Sequence, residues 1–390
     1  MPQMKTITTT EDLAAFCTMA AGHPYVTVDT EFLRERTYYS KLCLIQLAVP
    51  GDTDESAVLV DPILGSDMSL EPLYALFRNP DVVKVFHAAR QDLEIFYVDA
   101  KVFPEPLFDT QVAAMVCGFG EQVGYETLVR KIAKEGVDKS SRFTDWSRRP
   151  LSDAQKSYAL ADVTHLRKIY EYLAAQLQKQ GRAKWVAEEL RILTNPETYI
   201  SRPEDAWQRV KTRTQSGKFL AIVRELARFR EAYAQERNIP RSRVFKDDAL
   251  VELASTKPQN LGDLNKSRLL LREARKGEIA DGILAAIQAG IACPREAMPE
   301  GAKDDGKLQV NPALADLLRV LLKAKTEKSG VAAKLIASSA DLDALAAGRR
   351  DVPAMMGWRH EVFGHDAERL CAGEIALAAK GKTVRIVELS

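Results

Sequence analysis

Cysteine is scarce in this 390-residue chain: Cys17, Cys43, Cys117, Cys293 and Cys371 are odd in number and widely scattered. No two form C-x-x-C, which excludes a zinc ribbon and leaves no disulfide framework, so they read as buried thiols of a reducing compartment. No apolar run approaches the ~20 residues that cross a bilayer, so no membrane partner is expected. The opening stretch, MPQMKTITTTEDLAAF, lacks a basic segment followed by an apolar one; no secretory leader is expected, and the location expected is the cytoplasm. Net charge is nearly absent, at +1, but it is unevenly spread. Residues 1–200 hold 22 Lys and Arg against 28 Asp and Glu, residues 201–300 hold 19 against 14, and residues 301–390 hold 14 against 12. An acidic part joined to a basic one hints at a polyanion held by the second, although chance surface variation accounts for it as well.

The length is too great for one ordinary core and implies two or three domains. Up to about residue 200, strand-like and helix-like runs alternate. Residues 25–32, 42–49, 57–62 and 82–87 are rich in β-branched and apolar side chains between Pro, Gly and Asp, and read as strands. Helices are expected from Thr10, acting as a cap, and over 70–80, 89–98, 108–118 and 125–136, with Asp109 capping the fourth of these and Gly118 stopping it. A last helix, 154–177, is opened by a Ser152–Gln155 capping box behind Pro150. The expected frame is an α/β domain, a mixed sheet flanked by helices, over 1–200.

Strand candidates vanish from about 201. Residues 206–238 carry helical periodicity up to the break at Ile239-Pro240, and short helices continue to about 290. A linker-like stretch, 293–307, precedes a second helical run from about 309 to 379. Two all-α modules, 207–290 and 308–390, are therefore expected, and residues 331–348 echo 239–256 in hydrophobic pattern, a candidate degenerate repeat.

The chemistry begins with VTVDTEF, residues 26–32. Side chains alternate along a strand, so Asp29 and Glu31 share a face. Two carboxylates packed side by side repel each other and resist desolvation. Asp92 opens a helix, where the dipole also favours it, and Asp109 is explained by capping. Asp162 stands mid-helix among small and apolar residues, four after Tyr158, so the two project together. Divalent cations relieve such crowding by accepting carboxylates as oxygen ligands, and paired ions clamp phosphoryl chemistry.

VDTEF, HAARQDLEIF and YALADVTHL resemble the three exonuclease motifs of the DEDD superfamily of 3′–5′ exonucleases, and Tyr158 places the chain with its tyrosine-type branch. EFLRERTYYSKLCLIQLA (31–48) and FTDWSRRPLSDAQKSYALADVTHL (143–166) are similar to the bacterial ribonuclease D family, and residues 207–287 are similar to an HRDC domain. Ser40 departs from the proline expected in that family's loop. The resemblance implies a ribonuclease H-like exonuclease domain followed by one or two HRDC-type modules. It implies two ions, magnesium or manganese: Asp29 bridging them, Glu31 and Asp162 completing the tighter site, Asp92 holding the second largely through water, and Tyr158 orienting the nucleophilic water. It further implies a 3′–5′ exoribonuclease acting on RNA, tRNA precursors above all, as a monomer.

Other residues carry weaker expectations. His87 is either close to the scissile phosphate or a satisfied core histidine. Trp146, Arg148 and Arg149 suit a nucleic-acid strand through stacking and phosphate pairing, or anchor a loop. Arg241, Arg243 and Lys246 are either RNA-backbone contacts or a solvated basic face. Gln46 reads as a sheet-edge polar group. The rivals are a DNA 3′–5′ exonuclease, since sugar discrimination is not displayed in the sequence, and a noncatalytic RNA-binding scaffold.

Overall fold

The structure, a computed structural model, describes residues 5–53, 56–138, 141, 144–214, 216–300 and 309–389. Phe143, and residues 301–307 of the expected linker, lie outside the described residues. The chain forms two units: Met1–Glu31 with Cys43–Thr198 and Gly306–Ser390, and Phe32–Leu42 with Tyr199–Asp305.

The first unit opens with β1 (Thr6–Ile7), α1 (Thr10–Ala20), β2 (Tyr25–Leu33), β3 (Lys41–Ala48) and β4 (Ala57–Val60). It continues with α2 (Glu71–Arg78), β5 (Val83–Phe86), α3 (Arg90–Ala100), β6 (Leu107–Asp109), α4 (Thr110–Val116), α5 (Tyr125–Leu128), α6 (Asp153–Gln180) and α7 (Ala183–Leu193). The sheet order is β1-β4-β3-β2-β5-β6. β4 runs parallel to β1 and antiparallel to β3, and β5 runs parallel to β2 and β6, so the sheet is mixed as expected. β2 is an interior strand with Tyr25–Val28 buried; only from Asp29 onward does it reach partial exposure. That gradient leaves the two acids of VTVDTEF at the open end of a buried strand, where a ligand can meet them.

Local chemistry sets the boundaries. Ser152 and Gln155 form the expected capping box of α6. The cap of α1 is Thr9, whose Oγ1 accepts from Asp12 N at 3.2 Å, while Thr10 Oγ1 accepts from Ser69 N at 2.9 Å. The expected helix 125–136 is one α turn followed by a π turn, Val129–Ala133. Gln46 lies on β3, inside the sheet rather than at its edge, and is fully buried.

In the second unit the expected 206–238 helix is interrupted. A 3₁₀ turn, Pro203–Arg209, precedes α8 (Gly217–Glu236). Between them Thr212 Oγ1 donates to Thr214 O at 3.2 Å and Thr214 Oγ1 accepts from Ser216 N at 3.3 Å, so side chains satisfy backbone groups that a helix would use. α9 (Arg241–Val244), α10 (Asp247–Thr256), α11 (Leu261–Leu264) and α12 (Gly277–Ile291) complete the module around buried Leu226, Phe245, Leu253 and Ile283. Within this unit the β2–β3 connection rests on α8: Tyr38 donates its hydroxyl to the buried Glu231, and Asn238 Oδ1 accepts from Tyr38 N at 3.1 Å and Tyr39 N at 3.0 Å.

The C-terminal part contains α13 (Pro312–Ser329), α14 (Ala333–Ile336), α15 (Ser339–Ala346), α16 (Gly357–Arg359) and α17 (His365–Ala372). The echo between 239–256 and 331–348 is structural. Each segment has a four-residue helix, two extended residues (Phe245 and Lys246, or Ala337 and Ser338) and a longer helix. Buried Val244, Leu250, Leu253 and Ala254 match buried Ile336, Leu342, Leu345 and Ala346 at a constant spacing of 92. The chain does not stay helical to 379: β7 (Ile375–Lys380) and β8 (Thr383–Glu388) form an antiparallel hairpin, turned at Gly381 with φ +60°. This part is fastened to α4 and α7. Ala332 N donates to Met115 O at 3.0 Å, Trp185 stacks on Trp358 with centroids 4.9 Å apart, and Glu189 accepts from Trp358 Nε1 at 3.0 Å and from Arg359 at 2.6 Å.

Candidate active site

Thr27, Asp29 and Glu31 share one face of β2, and α6 lies against that face: Thr27 Oγ1 is 2.9 Å from Val163 O. The neighbour of Val163 on α6 is Asp162. One oxygen from each of Asp29, Glu31 and Asp162 falls within 4.8 Å of the others, the one such group of three acidic, histidine or cysteine side chains among the described residues. Asp92 stands slightly apart. It is buried in the first turn of α3, and the Thr30 hydroxyl, on the opposite face of β2, donates to it. The sequence reading missed Thr30, whose role depends on a partner 62 positions away.

The electrostatics record the cost of this crowding. Burial, then Asp162, Asp92 and Glu31, push the Asp29 carboxyl well above its usual range. Burial, Asp162 and Asp92 push Glu31 up to about 9. Asp92 is pushed up to about 7 by burial, against the opposing hydrogen bond from Thr30. Burial and then Asp162, Glu31 and Asp29 raise Tyr158, which also hydrogen-bonds Asp162, so the phenol stays neutral. Tyr125, which sequence reasoning also missed, is 2.9 Å from Ala161 O and 2.8 Å from Asp162 O through its hydroxyl, and so fixes the helix backbone at the acid.

The turn between β5 and α3 is held by Asp109. Its carboxylate accepts from Ala88 N (3.1 Å), Ala89 N (2.8 Å), Gln111 N (2.7 Å) and Val112 N (3.3 Å). It caps α4 and ties down the segment that presents Asp92. His87, at the start of this turn, lines a cleft of about 290 Å³ with Asp29, Tyr125, Tyr158 and Asp162. Burial lowers its pKa, which keeps the ring neutral.

The residues expected to contact nucleic acid lie in different surroundings. Trp146 is 2% exposed and packs 6.1 Å from the Tyr158 ring, so it anchors the loop and offers no stacking platform. Arg149 is spent on Asp61, at 2.6 and 2.7 Å, and on the carbonyls of Cys43 and Trp146, both at 2.7 Å. Arg241 pairs with the buried Glu231 at 2.8 Å and lies 5.4 Å over the Tyr38 ring. Arg148 is exposed beside Asp145, and Arg243 and Lys246 are exposed.

A mixed sheet with helices on it and an acid cluster at the open end of its interior strand defines a metal-dependent 3′–5′ exonuclease, and a 3′–5′ exonuclease family matches residues 4–178. The HRDC domain family matches residues 219–287. Ribonuclease D of Jannaschia sp. is 65% identical over 98% of this chain and 99% of its own length, and that of Granulibacter bethesdensis is 47% identical over 99% and 97%. The crystal structure of Escherichia coli RNase D superposes with TM-score 0.83 at 30% identity, covering 95% of this chain and 99% of that one. The chain belongs to the ribonuclease D family and is a 3′–5′ exoribonuclease acting on RNA. Both rivals, the DNA exonuclease and the noncatalytic scaffold, fall with that finding. Among the described residues no helix is long and apolar enough to cross a membrane.

Proposed function

We propose that this chain trims the 3′ ends of structured RNA, tRNA precursors in particular, as a monomer with two divalent ions, magnesium or manganese, releasing nucleoside 5′-monophosphates. The observation that carries the proposal is the acid cluster: carboxylates within 4.8 Å of one another, held at raised pKa. An all-oxygen donor set of that kind fits hard divalent cations. Structured RNA as substrate is supported by the Escherichia coli relative, an exoribonuclease involved in structured RNA processing.

Asp29, Glu31 and Asp162 would hold one ion, and Asp92, with Asp29 shared, the other. Bound there, the ions supply charge neutralisation at the scissile phosphate and a lowered pKa for the attacking water. Tyr158, neutral and hydrogen-bonded to Asp162, orients that water. Thr30, Asp109 and Tyr125 hold the acids and their elements in place. Arg148, Arg243 and Lys246 contribute sequence-independent contacts to the RNA backbone.

Tyr158→Phe is expected to slow single-turnover cleavage roughly 10- to 100-fold, the worth of one hydrogen bond to a charged group. RNA affinity by fluorescence anisotropy should stay unchanged; a large loss of affinity would assign Tyr158 to stacking instead. The substrate is tested with a 5′-labelled tRNA carrying a short 3′ extension, beside an unstructured RNA and a matched DNA, with magnesium and with EDTA. Stepwise shortening of the tRNA, lost in EDTA and slower on DNA, is expected. Faster trimming of the unstructured RNA would overturn the structured-substrate assignment.

A further inference from the structure

The hydrogen bonds around His87 place a proton on its Nδ1. His87 Nδ1 is 3.0 Å from Thr110 Oγ1, and Thr110 Oγ1 is 3.0 Å from Phe86 O. A threonine hydroxyl has one hydrogen. If that hydrogen went to the ring, Oγ1 and the Phe86 carbonyl would face each other at 3.0 Å as two acceptors. The arrangement that satisfies every atom has Thr110 donating to Phe86 O and His87 Nδ1–H donating to Thr110. Burial favours the neutral form of the ring, and that form bears a lone pair on Nε2. This nitrogen has no hydrogen-bond partner among the described residues and is not sealed from solvent, and the residue lines the cleft that contains Asp29, Tyr158 and Asp162. His87 does not belong to the group of side chains that converge on the cation position.

An acceptor nitrogen cannot hydrogen-bond a phosphodiester, which itself offers only acceptors. What it can recognise is a donor close to the scissile phosphate. On the 3′-terminal nucleotide the donors attached next to that phosphate through the sugar are the vicinal hydroxyls of the ribose. We propose that His87 Nε2 accepts a hydrogen bond from a hydroxyl of the terminal ribose and is a specificity-determining residue for an RNA 3′ end. The proposal rests on the assignment of the acid cluster to the scissile phosphate. It gives Thr110 a function besides its place in α4: it fixes the imidazole tautomer, as an orienting partner does for a ligating histidine.

The test is single-turnover release of the terminal nucleotide, with magnesium, from four RNA oligonucleotides of one sequence. They end in a ribonucleotide, a 2′-deoxynucleotide, a 3′-deoxynucleotide or a 2′,3′-dideoxynucleotide. In the wild-type protein, removing the hydroxyl that His87 engages should lower kcat/KM about 3- to 10-fold, the worth of a neutral hydrogen bond. The 2′-deoxy and 3′-deoxy ends show which hydroxyl it is. In His87→Phe, which keeps an aromatic ring without an acceptor, the all-ribo end should slow by the same factor and the differences among the ends should collapse. His87→Gln, whose Oε1 can accept, should restore part of the preference, and it separates a lost acceptor from a misfolded cleft. A wild-type protein indifferent to both hydroxyls overturns the proposal, as does a His87→Phe variant that keeps the full preference. Asp29→Asn run in parallel reports on the acid cluster alone: normal turnover there would remove the underlying assignment, whatever the hydroxyl series shows.

Discussion

Asp29→Asn should abolish hydrolysis and leave the fold intact or more stable. Asp29 is the acid most crowded by the others, with Asp162, Asp92 and Glu31 all raising its pKa behind the effect of burial. An amide has almost the same shape and keeps one oxygen, but it removes a charge that a cation site requires. A carboxylate contributing several kcal/mol of charge stabilisation in such a site corresponds to roughly a 10³-fold loss or more in rate, at 1.36 kcal/mol per decade. The same substitution removes like-charge repulsion, so the metal-free variant should melt at or above the wild-type temperature. Active-site acids are then a place where stability was given up for function. Two measurements check this: single-turnover cleavage of RNA with magnesium, and thermal unfolding in EDTA. A variant with normal turnover would remove Asp29 from the chemistry. A variant that is dead but also melts well below the wild type would make Asp29 a structural acid whose loss merely unfolds the site.

That pairing of lost activity with retained stability was already written in VTVDTEF, and its physics explains what else could be read from the chain. Period-2 alternation places Asp29 and Glu31 on one face without any knowledge of the fold, and four-residue spacing does the same for Tyr158 and Asp162. Ser152 and Gln155 are local, and the capping box formed as their spacing implies. Thr30 and Tyr125 were not legible because their partners, Asp92 and the backbone at Asp162, meet them only in the folded chain. Trp146 and Arg149 left two readings open for the same reason. An aromatic beside arginines has the composition of a nucleic-acid surface, but Asp61, 88 positions away, takes the guanidinium. The C-terminal hairpin was missed because IALAAK is alanine-rich and favours a helix by propensity; pairing with the β-branched TVRIVE overrides it. Gln46 looked like an edge residue because a polar letter in a strand usually marks solvent, whereas β3 has a neighbour on either side.

The same acids make the stability of the metal-free protein depend on pH in a direction opposite to that of ordinary paired carboxylates. Glu31 is raised from 4.5 to about 9 and Asp92 from 3.8 to about 7. A group whose pKa is raised on folding binds its proton more tightly in the folded state. Its contribution is fully present below the unfolded value and is lost as pH rises through the folded one. In EDTA the melting temperature should therefore fall between about pH 5 and pH 9. Magnesium should reverse the trend, since a cation holds these carboxylates in the charged form that the empty cluster resists. At a magnesium concentration of 100 times the dissociation constant the gain is about 2.7 kcal/mol, or a melting shift of about 3 °C for a chain of this length. The shift should be larger at pH 8 than at pH 5, where protons compete for the same oxygens. Scanning calorimetry of the wild type and of an Asp29→Asn/Glu31→Gln variant, with EDTA and with magnesium, reads all of this at once. The double variant should lose most of the pH slope and the magnesium shift together, because both arise from one set of carboxylates. A wild-type melting temperature in EDTA that is flat or rising from pH 5 to pH 9, or a magnesium shift that survives in the double variant, would place the cation somewhere other than between β2 and α6.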